Sequence, residues 1–66
     1  MNWISVKERL PNPDDEVLFF DEEFENIELG SITSDETKWH PNWADTIINA
    51  KRITHWMFLP PPPESF

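Results

Sequence analysis

The chain contains no cysteine, so whatever core it builds must hold together without a disulfide or a thiolate metal site. At 66 residues this is a severe constraint. A domain of that size buries only about 60% of the surface its unfolded chain exposes, and its stability is marginal. Four Trp and five Phe offer the compensation. Each such ring withdraws about 150–250 Å² from water when buried. The expectation is one small domain organised around aromatic side chains.

Charge narrows the class of partner. Thirteen acidic and five basic side chains leave a formal net charge of −8. A chain so charged is repelled by phosphate backbones and anionic bilayers, so a basic protein surface is the expected partner, with no nucleic acid and no membrane. The longest uninterrupted apolar run, Val17-Leu18-Phe19-Phe20, is far short of a membrane span. Met1 to Leu10 carries no apolar run of signal-peptide length, so neither export nor insertion is expected.

Read from its start, the chain opens with Ser5 and Glu8 in the spacing of a capping box. Pro11 stops any helix at Leu10. A single helical turn is predicted, with Trp3, Val6 and Leu10 facing inward. Asn12-Pro13-Asp14-Asp15 has turn chemistry. Glu16 to Phe20 then reads as a strand that is apolar on both faces, hence central. A second strand is predicted over residues 24–33, where Ile27 and Leu29 alternate with Glu28 and Gly30. Gly30, the sole glycine, marks a bulge or a close backbone approach. Thr37 to His40 suits a short third strand ended by Pro41. Residues 42–52 fit a short helix capped by Asn42 or a structured loop. Arg52 to Phe58 reads as an interior strand, with Ile53, His55 and Met57 on one face and Thr54, Trp56 and Phe58 on the other.

The predicted fold is accordingly α+β or mostly β: a small single domain with a three- to four-stranded antiparallel sheet and a short N-terminal helical turn. Residues 1–59 form the sheet domain and residues 60–66 a proline-rich tail, mobile or loosely docked. The expected core is Trp3, Val6, Leu10, Val17, Leu18 or Phe19, Ile27, Leu29, Ile53 and Trp56.

Two end motifs carry a resemblance. Trp3-Ile4-Ser5-Val6-Lys7-Glu8-Arg9-Leu10-Pro11 opens the chain, and Ile53-Thr54-His55-Trp56-Met57 leads through Leu59-Pro60 into a proline-rich finish. Together they resemble a short domain of unknown function common in phage and prophage genes. The resemblance implies a phage or prophage origin and a small accessory gene, while the lack of cysteine and of an export segment suits the host cytoplasm as its location. It implies no catalytic residues and no cofactor.

The residues themselves offer little chemistry. With one glycine, no phosphate-cradling loop can be written, and no serine stands in a G-x-S-x-G elbow. His40 and His55 lack the short spacing of metal ligands, so a small metal-dependent hydrolase is the least favoured class. His55 is better read as a partly buried strand histidine bonded to backbone or to Ser/Thr. Stacking of Trp3, Trp39, Trp43 or Trp56 on bases would need a basic groove, and only Lys51 and Arg52 stand together. Pro60 to Pro63 fits P-x-x-P but equally a tail that caps the sheet.

The strongest charge feature is residues 21–28. Asp21, Glu22, Glu23, Glu25 and Glu28 supply five carboxylates in eight positions. The plain reading is a solvated hairpin rim. The sharper one is a protein-binding face that imitates phosphates and occupies a basic groove. The expected function is thus a non-catalytic phage or prophage accessory protein that binds a macromolecule, in its sharper form an acidic inhibitor of a host protein. The alternative is a structural or oligomerising module using exposed Trp43 and Phe58. Monomer and small homo-oligomer both remain open.

Overall fold

The computed structural model describes residues 2–60. Its one sheet has six antiparallel strands: β1 Ile4–Ser5, β2 Val17–Asp21, β3 Asn26–Ile32, β4 Lys38–Pro41, β5 Ile48–Asn49 and β6 Ile53–Phe58. Their order across the sheet is β1-β6-β2-β3-β4-β5. One 3-10 turn, Ala50–Arg52, separates β5 from β6. This corrects the predicted three- to four-stranded sheet with a helical turn. The proposed tail falls largely on residues 61–66, outside the described residues.

The N-terminal turn shows why the helix prediction failed. Ser5 Oγ accepts from the Lys7 amide at 3.2 Å, a local serine turn rather than a capping box. The Glu8 and Arg9 amides both bond to the Ser5 carbonyl, at 3.0 and 3.4 Å, but no regular helix forms. Instead Ile4 and Ser5 pair with Trp56 and His55, and the Val6 amide reaches the Thr54 carbonyl at 3.0 Å. The strand ladder offered by β6 satisfies these groups better than a turn cut short by Pro11.

A short connection bends the sheet. The chain passes from Asn49 to Ile53 through Ala50–Arg52, although four strand spacings separate β5 from β6 in the sheet order. Across a flat sheet those spacings amount to about 19 Å. Four residue steps span at most about 14 Å even when extended. The sheet must therefore curl, and its concave side holds the core: Val17, Phe19, Ile32, Trp39, Ile48, Ile53 and Trp56, with Ile4, Val6 and Ala50 packed against it. Phe19 and Trp39 meet with ring centroids 4.9 Å apart. Trp39 and Trp56 are both 1% exposed. Burying each contributes about 5 kcal/mol before conformational cost. The Trp56 indole N–H is satisfied by the Arg9 carbonyl at 3.0 Å.

The core prediction was right for Val17, Phe19, Ile53 and Trp56, while Val6 is partly buried. It was wrong for Trp3, Leu10, Ile27 and Leu29, which are exposed. In β3 the alternation was read in the correct phase, but the apolar residues lie outside. Register places Ile27 beside Phe20 and Leu29 beside Leu18, all on the convex face. Glu28 and Gly30 face the concave side with Phe19 and Val17. A β-bulge interrupts β6, since Phe20 pairs with His55 but Asp21 pairs with Ile53. Thr54 is the extra residue, and it lets Ile53 and Trp56 both point inward.

Gly30 serves a close approach, one of the two roles expected of it. A Cβ there would lie 2.1 Å from the His40 carbonyl oxygen and 2.9 Å from Pro41 Cα, both backbone atoms that cannot step aside. Gly30→Ala should therefore cost about 3 kcal/mol or more. A domain of this length holds only about 3–10 kcal/mol in total. Urea unfolding monitored by Trp fluorescence tests it, and a midpoint equal to that of the parent chain would refute the close-approach account.

The β3–β4 turn is knotted around Asp35. Its Oδ1 accepts from Thr33 Oγ1 at 2.7 Å, Thr37 Oγ1 at 2.8 Å and the Thr37 amide at 3.1 Å. The Thr33 hydroxyl first, then the Thr37 hydroxyl and amide, hold this carboxyl down at about 2 against the usual 3.8. Because its folded value is depressed, Asp35 stabilises the turn above pH of about 4, and that contribution fades as pH falls toward 2. NMR titration of the Asp35 carboxyl should give a midpoint near 2, rising toward the ordinary value in a Thr33→Val, Thr37→Val double variant.

Candidate functional site

The acidic segment forms the hairpin between β2 and β3, and a single arginine anchors it. Asp21, the last residue of β2, is 2% exposed. Its carboxylate accepts from Arg52 Nε at 3.3 Å, from an Arg52 terminal nitrogen in a close ion pair, and from the Glu23 amide at 3.0 Å. The hydrogen bond that Arg52 donates to Asp21 raises its guanidinium above the ordinary range. Glu23 adds a second ion pair to Arg52 Nε at 3.0 Å. The Glu22 amide bonds to the Arg52 carbonyl at 2.8 Å. Phe24 lies under the guanidinium, 4.7 Å from ring centroid to Cζ. Arg52 thus holds the hairpin by charge, backbone and ring together.

The five sequence-predicted site residues consequently separate. Asp21 is buried beneath the hairpin and supports it. Glu22, Glu23 and Glu25 are exposed on the loop. Glu25 has φ of 50°, a left-handed backbone that glycine or asparagine adopts at lower cost. Glu28 is half-buried on β3. It accepts from Asn26 Nδ2 and from the Trp43 indole Nε1, each at 2.6 Å.

Trp43 is the residue that sequence reasoning assigned to an interface without placing it. It is 71% exposed, the most exposed of the large apolar side chains among the described residues. The Gly30–Pro41 register and the bond from the Asn42 amide to the Leu29 carbonyl at 2.8 Å bring it back along β3 to Glu28. Phe24, at 68% exposure, stands on the hairpin side. Between them lies a cleft of about 300 Å³, walled also by Asp21, Glu28, Ile47 and Arg52.

The family model described as "Protein of unknown function (DUF551)" matches residues 2–64. The chain belongs to the DUF551 family. Neither a curated protein nor a solved structure matches it significantly. Membership in DUF551 supports the uncharacterised small domain suggested by the end motifs and assigns no activity to any residue.

The two histidines of this DUF551 chain lie on separate strands. His55 is exposed on β6, its Nδ1 3.0 Å from Thr54 Oγ1, and His40 is exposed on β4. Among the described residues, no group of three or more His, Cys, Asp or Glu is placed to hold a metal ion. No helix among them is long and apolar enough to cross a membrane.

A second surface lies on the convex face of the DUF551 sheet. Leu18 pairs with Leu29 and Met57, and Phe20 with Ile27 and His55. Trp3, Phe20, Ile27 and His55 line an open hollow of about 320 Å³ there.

Proposed function

We propose that this chain is a non-catalytic accessory protein of phage or prophage origin that binds a basic protein surface through the β2–β3 hairpin. Glu22, Glu23 and Glu25 form the docking rim, Glu28 continues it along β3, and Asp21 holds it from below. In its sharper form the protein is an inhibitor whose carboxylates take the place of nucleic-acid phosphates on a host protein. The WISVKERLP and ITHWM end motifs support the phage or prophage origin.

The observation that carries this reading is the cost of presenting the rim. Glu25 occupies a backbone position that favours glycine or asparagine, yet carries a charge beside Glu22 and Glu23. A left-handed residue with a Cβ costs about 1 kcal/mol. Glu36 in the β3–β4 turn, with φ of 63°, shares this backbone, so what supports the rim is the strained position coinciding with a cluster of exposed carboxylates. The net charge of −8 adds long-range attraction for a basic partner.

Such binding should be fast and strongly salt-dependent. The test is a pull-down from host lysate at low and high salt, with the parent chain and a Glu22→Lys, Glu23→Lys, Glu25→Lys variant in parallel. Basic proteins should be captured by the parent at low salt, and both high salt and charge reversal should release them. Thermal melting of the variant guards against misfolding. Identical capture by a folded variant would refute the acidic rim.

One observation favours a second reading, a self-associating structural module. The convex apolar rows of β2, β3 and β6 carry no carboxylate, so two copies could stack there without opposing their charges. Phe58 and Trp43, 51% and 71% exposed, lie instead on the concave side beside Val17 and Glu28. Sedimentation across a wide concentration range decides it. A dimer abolished by Phe20→Lys and Ile27→Lys is the expected result, and a monomer throughout removes this reading.

A further inference from the structure

We infer that the cleft between Phe24 and Trp43 seats one cationic side chain, an arginine or lysine, of the partner protein. This deepens the acidic-rim reading and rests on it. The rim attracts a basic surface, and the cleft takes a single residue from that surface.

Three observations converge. First, Trp43 is exposed yet fixed. Its indole N–H is committed to Glu28 Oε1 at 2.6 Å, and Glu28 is itself held by Asn26 Nδ2 at 2.6 Å. An exposed ring that is already oriented loses little freedom on binding, the property that makes Trp a frequent binding anchor. Second, the cleft already accommodates a cation on an aromatic face, since Arg52 lies 4.7 Å from the Phe24 ring centroid. Among the described residues no cation stands over Trp43. Third, the charge is unbalanced. Asp21 and Glu28 contribute two carboxylates to the walls, and Arg52, the one base among the described lining residues, is paired with Asp21, which leaves Glu28 with hydrogen-bond donors but no counter-charge. Arg52 is also shared with Glu23.

These features discriminate among ligands. An anion would meet Glu28 and Asp21. A neutral apolar group would desolvate the Glu28 carboxylate while adding no counter-charge to the bonds it accepts from Asn26 and Trp43, which is costly. A guanidinium or ammonium group gains a ring face and a carboxylate together, and its methylene stem lies along Ile47, which is 53% exposed. The volume of about 300 Å³ suits one long side chain rather than a folded segment.

The test follows the four indole N–H signals of the ¹⁵N-labelled full chain during titration with tetra-arginine, tetra-lysine or free arginine amide. The Trp43 signal should shift and saturate with either peptide, while that of Trp3 stays in place. Trp43→Ala should weaken peptide binding at least tenfold, with melting unchanged because the ring is exposed. Free arginine amide should bind far more weakly than the peptides. Equal binding by the free amide would overturn the partner side chain in favour of a small-molecule cation. Peptide binding that is lost on reversal of Glu22, Glu23 and Glu25 but is indifferent to Trp43→Ala would overturn the cleft and leave the rim reading standing. Binding that survives the reversal but needs Trp43 would do the opposite. No binding of either peptide would overturn both.

Discussion

Arg52 sits where the fold is under most constraint, in the three-residue turn that joins strands four places apart in the sheet. The turn is too short for a flat sheet, so its geometry and the sheet's curl are one condition. The end of β2 must arrive beneath that turn, and the Asp21–Arg52 pair marks the arrival. A buried ion pair contributes little net stability against apolar side chains of the same volume. Breaking one is expensive, because the survivor is left desolvated. The physical argument therefore favours a role in register. Any slip of β2 against β6 would bury Asp21 without Arg52, and the bulge at Thr54 would no longer fall opposite the Phe20–Asp21 step. The same arginine fixes the hairpin backbone through Glu22 and the Phe24 ring. The core and the candidate site thus share one anchor.

Much of the strand content could be read from the sequence. The apolar run at Val17–Phe20, the alternation in residues 26–32 and the aromatic stretch before Phe58 are all strands. The elements that escaped are those with no periodicity to detect. β1 and β5 have two residues each, and no hydrophobic pattern exists at that length. They are strands only because β6 and β4 present unpaired edges to them. The helix suggested for residues 42–52 dissolved for a related reason. Asn49, not Asn42, does the capping, with its side chain accepting from the Lys51 amide over a single 3-10 turn. The inverted face of β3 has a different cause. Ile27 and Leu29 outrank Glu28 and Gly30 in any apolar ranking, but a concave side crowded by Phe19, Trp39 and Pro41 has room for a glycine and none for another branched chain. Curvature decided which face was buried, and curvature was set by the connection after Asn49.

The candidate site was legible as composition and illegible as geometry. Five carboxylates in residues 21–28 were plain to see. That one of them is structural depended on Arg52, thirty-one positions away. That Trp43 stands beside Glu28 depended on the pairing of β4 with β3. Proline and glycine at 41 and 30 were visible, but their union across two strands was not, because local sequence carries no record of which neighbour a strand will choose.

The distribution of charge over the two faces has a further consequence. Only two strand residues are acidic, Asp21 and Glu28, and both lie on the concave side toward the β2–β3 hairpin. The remaining acids belong to loops or to segments outside the described residues. Loop carboxylates stand in high-dielectric solvent, where their reach is cut to about 8 Å at physiological salt. Asp21 and Glu28 are partly or wholly withdrawn from solvent, so ions screen them far less. A basic partner would then feel two fields of different kind. The hairpin gives a long, salt-sensitive attraction that governs encounter, and the cleft a short, salt-resistant one that governs residence. Arg52 lies between them and neutralises part of each. Its removal would strengthen the bare charge of the site while destroying the geometry that makes the charge selective, and this is the physical reason for a base at the centre of so acidic a surface.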